Sequence, residues 1–189
     1  MKRQGIRYLI TEQKQLLLKT LKVRRDAIRQ YMMYSLMLNT GLRLGEVVGL
    51  NVGDVQGRTV LEVVGKGSKS REIPLNKATR EHIQAFLDWR RRNYGLPLSD
   101  DPLFTSRLGK RISKRAVQRD LTKWIKKAGI EGHFTPHALR HTVGTELLNK
   151  TGNLRVVQEF LGHADISTTQ IYTHVSREQI QQAAELLVS

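Results

Sequence analysis

The stretch that most constrains the fold is RDAIRQYMMYSLMLNTG, from Arg25 to Gly41. Its spacing predicts a long helix, apolar enough to be largely buried, with Gly41 as its left-handed terminator. A helix of that kind needs other elements to cover it. On one side, Thr11 precedes EQKQLLLKTLK, whose leucines predict a short helix. On the other, LRLGEVVGL predicts a second short helix, and RTVLEVV at 58–64 is β-branched and strand-like. GKGSKS breaks that pattern and REIPL resumes it, so 58–75 reads as a β-hairpin or small antiparallel sheet.

Helical spacing returns from Asn76, with Ile83, Phe86 and Leu87 on the apolar side and a charged WRRRN end. YGLPLSDDP is the most loop-like stretch, and DPLFTSRLGKRIS continues irregularly. Ser113 is placed to cap a helix in which Val117, Leu121, Trp124 and Ile125 recur, closed by Gly129. Thr135 and Pro136 form a helix start leading into HALRHTVGTELLNKTG. Short helices are predicted over 153–161 and 165–173, and Ser176 with Gln179 opens an amphipathic helix at about 177–188. The expected fold class is mainly α with a small antiparallel sheet, an α+β arrangement. A chain of 189 residues, 39% hydrophobic, suffices for one substantial core and one compact domain.

Charge narrows the function. The 32 Lys and Arg against 17 Asp and Glu leave +15 at pH 7, spread over most of the length. A polyanionic partner is the first expectation, and nucleic acid is the commonest. There is no cysteine, which excludes disulfides, thiolate metal sites and a cysteine nucleophile. No apolar run approaches membrane-spanning length, and MKRQGIRYLITEQKQ lacks the hydrophobic region of a secretory signal. A soluble, cytoplasmic protein with no membrane partner is expected.

Four places combine the side chains that phosphate chemistry needs: TGLRLGE at 40–46, VVGKGSKSREIPL at 63–75, TPHALRH at 135–141 and LGHADISTTQIY at 161–172. Two fixed arginines can grip phosphate oxygens through paired N–H donors. The grip becomes catalytic if it strengthens as the phosphorus passes through a more charged, five-coordinate transition state. Phosphodiester cleavage requires a barrier lowered by on the order of 15 to 20 kcal/mol, more than one group supplies. Arginines, histidines, a lysine and a hydroxyl nucleophile together make a complete set.

Singly, each residue has a plainer reading. Arg43 follows a helix cap, Lys66 and Lys69 sit in a Gly-rich turn, and Tyr172 reads as a half-buried packing tyrosine. The spacing of His133, His137 and His141 invites a metal site, but no carboxylate accompanies them closely and Pro136 interrupts the helix.

The ordered set reads differently. TGLRLGE, GKGSK with Lys66 23 residues after Arg43, HALRH, LGH with His163 23 residues after Arg140, and Tyr172 nine further on closely resemble the signature of the tyrosine recombinase, or phage integrase, family. The similarity runs from about Arg7 to Leu187. It implies the family's catalytic-domain fold and a site-specific DNA recombinase that cleaves and rejoins strands through a 3′-phosphotyrosyl link, in integration, excision or inversion. By this resemblance Arg43 and Arg140 clamp the scissile phosphate. Lys66, preferred over Lys69 on motif position, protonates the departing 5′ oxygen. His137 and His163 hydrogen-bond phosphate oxygens, and Tyr172 is the nucleophile. Glu46 matches a supporting acidic position, a sensible orienting partner for a guanidinium, and His141 is given packing or supporting work.

The resemblance implies no nucleotide cofactor and no metal. It implies double-stranded DNA as partner, a tetramer on two sites with residues 177–188 packing on a neighbouring subunit, and DNA-bending accessory proteins. Residues 1–189 are expected to be a single catalytic domain with the family's N-terminal core-binding domain absent, either as a fragment or as a short member resembling small inversion recombinases. Two alternatives stand beside it: a type I B topoisomerase-like relaxation enzyme, which shares the strand-cleavage chemistry, and a non-catalytic DNA-binding regulator on the same fold. Against the regulator, competent residues occupy all six expected positions.

Overall fold

The computed structural model describes residues 7–64 and 70–162. At its centre lies α2, Ile28–Thr40, in which every position from Met32 to Leu38 is buried. A helix apolar around its whole circumference has no solvent face, and α2 is covered by α1 (Thr11–Lys22), α4 (Lys77–Tyr94) and α6 (Pro136–Thr151). The helix begins three residues later than its sequence pattern, because Arg25–Ala27 forms a 3-10 turn, a common way for a helix to start. The buried Tyr34 hydroxyl donates to the Val117 carbonyl of α5 (Lys114–Lys127) at 3.2 Å, which satisfies the polar end of a core aromatic.

The remaining helices follow their caps. Asn76 Oδ1 accepts from the Thr79 N–H at 2.8 Å at the head of α4, and Ser113 Oγ accepts from the Ala116 N–H at 3.2 Å at the head of α5. Ile83, Phe86 and Leu87 of α4 are buried, as are Val117, Leu121, Trp124 and Ile125 of α5. Pro136 stands in the first turn of α6, whose end at Gly152 leads to Asn153, the cap of α7 (Leu154–Leu161).

The hairpin is antiparallel. β1 (Val60–Val64) pairs with β2 (Ser70–Pro74), setting Leu61 opposite Ile73 and Val63 opposite Arg71. The two-residue period puts these four on one face; Leu61, Val63 and Ile73 are core, while Glu62 and Glu72 point outward. The fold is mainly α with a two-stranded antiparallel sheet, as expected. Among the described residues there are seven α-helices, none long and apolar enough to cross a membrane. The helices expected over 165–173 and 177–188 lie outside the described residues.

The loop-like 96–112 region contributes to the core despite its irregular backbone. Leu103, Phe104 and Ile112 are buried, and the Arg90 guanidinium donates to the carbonyls of Pro102 at 2.7 Å and Leu103 at 3.0 Å. Arg111 reaches the carbonyls of Val48, Gly49 and Leu50 at 2.8–2.9 Å, closing the end of α3 (Leu44–Gly49).

Candidate functional site

The site starts where α2 stops. Gly41 adopts φ 64, and its N–H caps α2 by donating to the Met37 carbonyl at 2.9 Å. A Cβ there would collide with Leu161 Cδ2 of α7, so both the left-handed backbone and the close approach of α7 require glycine. Two residues on, Arg43 is the extended N-cap residue of α3.

Glu46, in the first turn of α3, accepts the Arg43 backbone N–H on Oε2 at 2.7 Å and Arg43 Nη1 on Oε1 at 2.9 Å. Arg71 reaches the same carboxylate from β2 with two parallel bonds, Nη1 to Oε1 at 2.9 Å and Nη2 to Oε2 at 2.8 Å. The Glu46 side chain is only 9% exposed. Burial alone would raise its pKa, but the Arg71 hydrogen bonds, the Arg43 N–H and the charge of Arg71 outweigh it and hold the carboxyl at about 2.

The second arginine of the pattern arrives from α6. Arg140 is 4% exposed and donates through Nη1 to the Gly41 carbonyl at 2.6 Å and through Nη2 to the Leu161 carbonyl. Arg43 Nη2 donates to the next carbonyl, that of Gly162, at 3.1 Å. The two guanidiniums, 97 residues apart in sequence (140 − 43), thus meet on consecutive carbonyls at the C-terminal end of α7, the negative end of a helix dipole. The Arg43 side chain is 37% exposed and is the open member of the pair.

His137 lies exposed in the first turn of α6, and His141 is half-buried one turn later. Burial lowers the His141 pKa, and the charges of His137 and Arg140 lower it further, so its imidazole is held toward the neutral form. Lys66, Lys69, His163 and Tyr172 lie outside the described residues. His163 directly follows Gly162, the acceptor of the Arg43 bond.

Two further cationic side chains near this site lie outside the motif positions. Arg71 lies within a stretch marked for chemistry, and it carried a signal: it shares the inward face of β2 with Ile73, where a charge demands a partner. Lys114, at the start of α5, brings Nζ to within 3.5 Å of where a Cβ on Gly45 would stand, beside the first turn of α3. No local pattern distinguishes it from other exposed lysines.

The phage integrase family model matches residues 7–179. The chain belongs to the phage integrase family. Among its relatives in that family, the tyrosine recombinase XerC of Vibrio parahaemolyticus serotype O3:K6 (strain RIMD 2210633) is 45% identical over 159 residues, which are 83% of this chain and 50% of the relative. XerC of Escherichia coli O157:H7 (strain EC4115 / EHEC) is 45% identical over 156 residues, 82% of this chain and 51% of the relative. The chain spans about half the length of these curated relatives. Among solved structures, XerA recombinase superposes with a TM-score of 0.82 at 28% identity, over 99% of this chain and 67% of that one. XerH site-specific recombinase in a pre-cleavage complex with its difH substrate gives 0.80 at 25% identity, over 100% of this chain and 56% of that one.

Proposed function

We propose that this integrase-family chain is the catalytic domain of a site-specific DNA recombinase that cleaves and rejoins duplex DNA. The observation that carries the reading is the convergence of Arg43 and Arg140 at the end of α7, one residue before His163 in sequence. Two guanidiniums held by carbonyls and one carboxylate keep their geometry before a phosphate arrives, which is what charge stabilisation of a transition state needs.

In the proposed reaction the Tyr172 hydroxyl oxygen attacks phosphorus, the bond to the 5′ oxygen breaks, and a 3′-phosphotyrosyl ester forms. Lys66 gives its proton to the departing 5′ oxygen. His137 and His163 hydrogen-bond the phosphate oxygens and help take up the phenolic proton, and His141 on α6 has a supporting role. The ester conserves the energy of the broken bond, so a 5′ hydroxyl from another strand reseals it without a nucleotide cofactor. Arg43 and Arg140 hold the phosphate throughout, and Glu46 orients Arg43.

Double-stranded DNA is the proposed partner and the cytoplasm the proposed place of action. A tetramer on two DNA sites is part of the proposal, with residues 177–188 docking on a neighbour and accessory proteins bending the DNA. So is the assignment of residues 1–189 to a single catalytic domain. XerC names at 45% identity support the recombinase reading over plain relaxation of supercoils.

The test is covalent trapping on a pool of duplexes with randomised arms, each nicked so that the 5′ fragment released by cleavage diffuses away. The wild-type chain should form an adduct that survives denaturation, and Tyr172→Phe should form none. Adduct formation by the Phe variant would overturn Tyr172 as nucleophile. Tight binding without adduct on any duplex would point instead to a non-catalytic DNA-binding regulator.

A further inference from the structure

We propose that Arg71 is a positioning residue of this site: by taking up the charge of Glu46, it leaves the partly exposed Arg43 guanidinium with a net positive charge to offer an external anion. The inference rests on the reading of Arg43 as a phosphate ligand.

Around one carboxylate stand two guanidiniums, so the trio carries a net +1 that one of the arginines must express. The distribution is unequal. Arg71 makes a bidentate contact with both Glu46 oxygens, the stronger geometry for an arginine and a carboxylate, and its side chain is 10% exposed. Arg43 Nη1 makes a single bond to Oε1, while its Nη2 turns to the Gly162 carbonyl and its side chain is 37% exposed. The buried arginine therefore neutralises Glu46, and the accessible one keeps the surplus charge. Without Arg71, Glu46 and Arg43 would form a one-to-one pair whose charges cancel, and the field offered to a phosphate would fall.

Packing ties Arg71 to the other partner of Arg43 as well. A Cβ on Gly162 would stand 2.5 Å from Arg71 Cδ and 3.1 Å from its Nε, so the Arg71 stem rests against the glycine whose carbonyl receives Arg43. Arg71 thus touches both groups that orient Arg43, the Glu46 carboxylate and Gly162. It is held there by β2, where its Cα is paired with that of Val63 on the face that continues into the core through Ile73.

The experiment compares adduct formation by wild type, Arg71→Met, Arg71→Lys, Glu46→Gln and the Arg71→Met/Glu46→Gln double variant. It uses a nicked duplex that wild type cleaves, at a temperature where melting curves show each variant folded. Arg71→Met should lower the maximal rate by about tenfold or more, with a smaller change in the DNA concentration giving half-maximal rate. Arg71→Lys should lie between Met and wild type. The double variant, which leaves no buried carboxylate to neutralise, should match Glu46→Gln alone to within about threefold. It also keeps the question answerable if Arg71→Met does not fold, since removing both partners avoids a stranded buried charge. A double variant far slower than Glu46→Gln, or an Arg71→Met enzyme as fast as wild type, would overturn the inference and leave the recombinase reading standing. Failure of wild type to form any adduct would overturn both.

Discussion

Glu46 shows how much one buried side chain organises here. Its carboxylate receives three N–H groups from guanidiniums and one from the backbone, and its pKa is held at about 2 against an ordinary 4.5. A carboxyl whose pKa is lower in the folded than in the unfolded chain adds stability above the unfolded value. That stability is lost as pH falls through 4.5 toward 2. The size is on the order of 3 kcal/mol. Glu46→Gln should therefore be markedly less stable than wild type near neutral pH, with the gap closing as the pH is lowered toward about 2. Urea unfolding at a series of pH values checks this, and a gap that stays constant would show that Glu46 ionisation is not linked to folding. The sequence offered Glu46 as an orienting partner for an arginine. It did not offer Arg71 as the other half of the pair, because the two stand 25 residues apart and meet only once β2 lies against α7 and brings Arg71 to Glu46.

At the scale of elements, α7 matters more than its eight residues suggest, since its last residue, Leu161, and its C-cap, Gly162, supply the carbonyls that receive Arg140 and Arg43. Its start depends on Asn153, whose Oδ1 accepts from the N–H groups of Arg155 at 2.9 Å and Val156 at 3.4 Å. Asn153→Ala should lower stability by about 1 kcal/mol, read as a shift in the urea midpoint with unchanged slope. No change in midpoint would mean that packing of Val157 and Leu161 holds the helix without its cap. Elements of this sort were legible in the sequence where a local rule applied: the glycine stop at Gly41, the serine cap at Ser113, the hairpin over 58–75. The 96–112 segment was not legible as core. Phe104 is buried in a stretch with neither helical nor strand period, held by Arg90 from a neighbouring helix, and no local pattern announces such a tether.

For the whole molecule, the surplus of +15 should appear as salt dependence. Binding that follows a duplex backbone releases counterions, and each phosphate contact adds about 0.9 to the slope of log affinity against log salt. Affinity for mixed-sequence duplex should fall by about a hundredfold or more between about 50 and 200 mM salt. A nearly flat dependence, measured by fluorescence anisotropy, would argue against a surface built to track phosphates.

By itself the sequence determined the buried central helix, the caps, the hairpin and the family, because each rests on neighbouring residues or on an ordered set of motifs that does not depend on knowing where they meet. The tertiary structure decided which charges share a site. Arg43 and Arg140 come together because Gly41 lets α7 pack against the end of α2, and Arg71 joins them because β2 carries it to Glu46. Hydrophobic period is a one-dimensional signal that survives in a string of letters. The pairing of a carboxylate with a particular guanidinium is a contact between distant segments, and it exists only once the core has brought those segments to the same place.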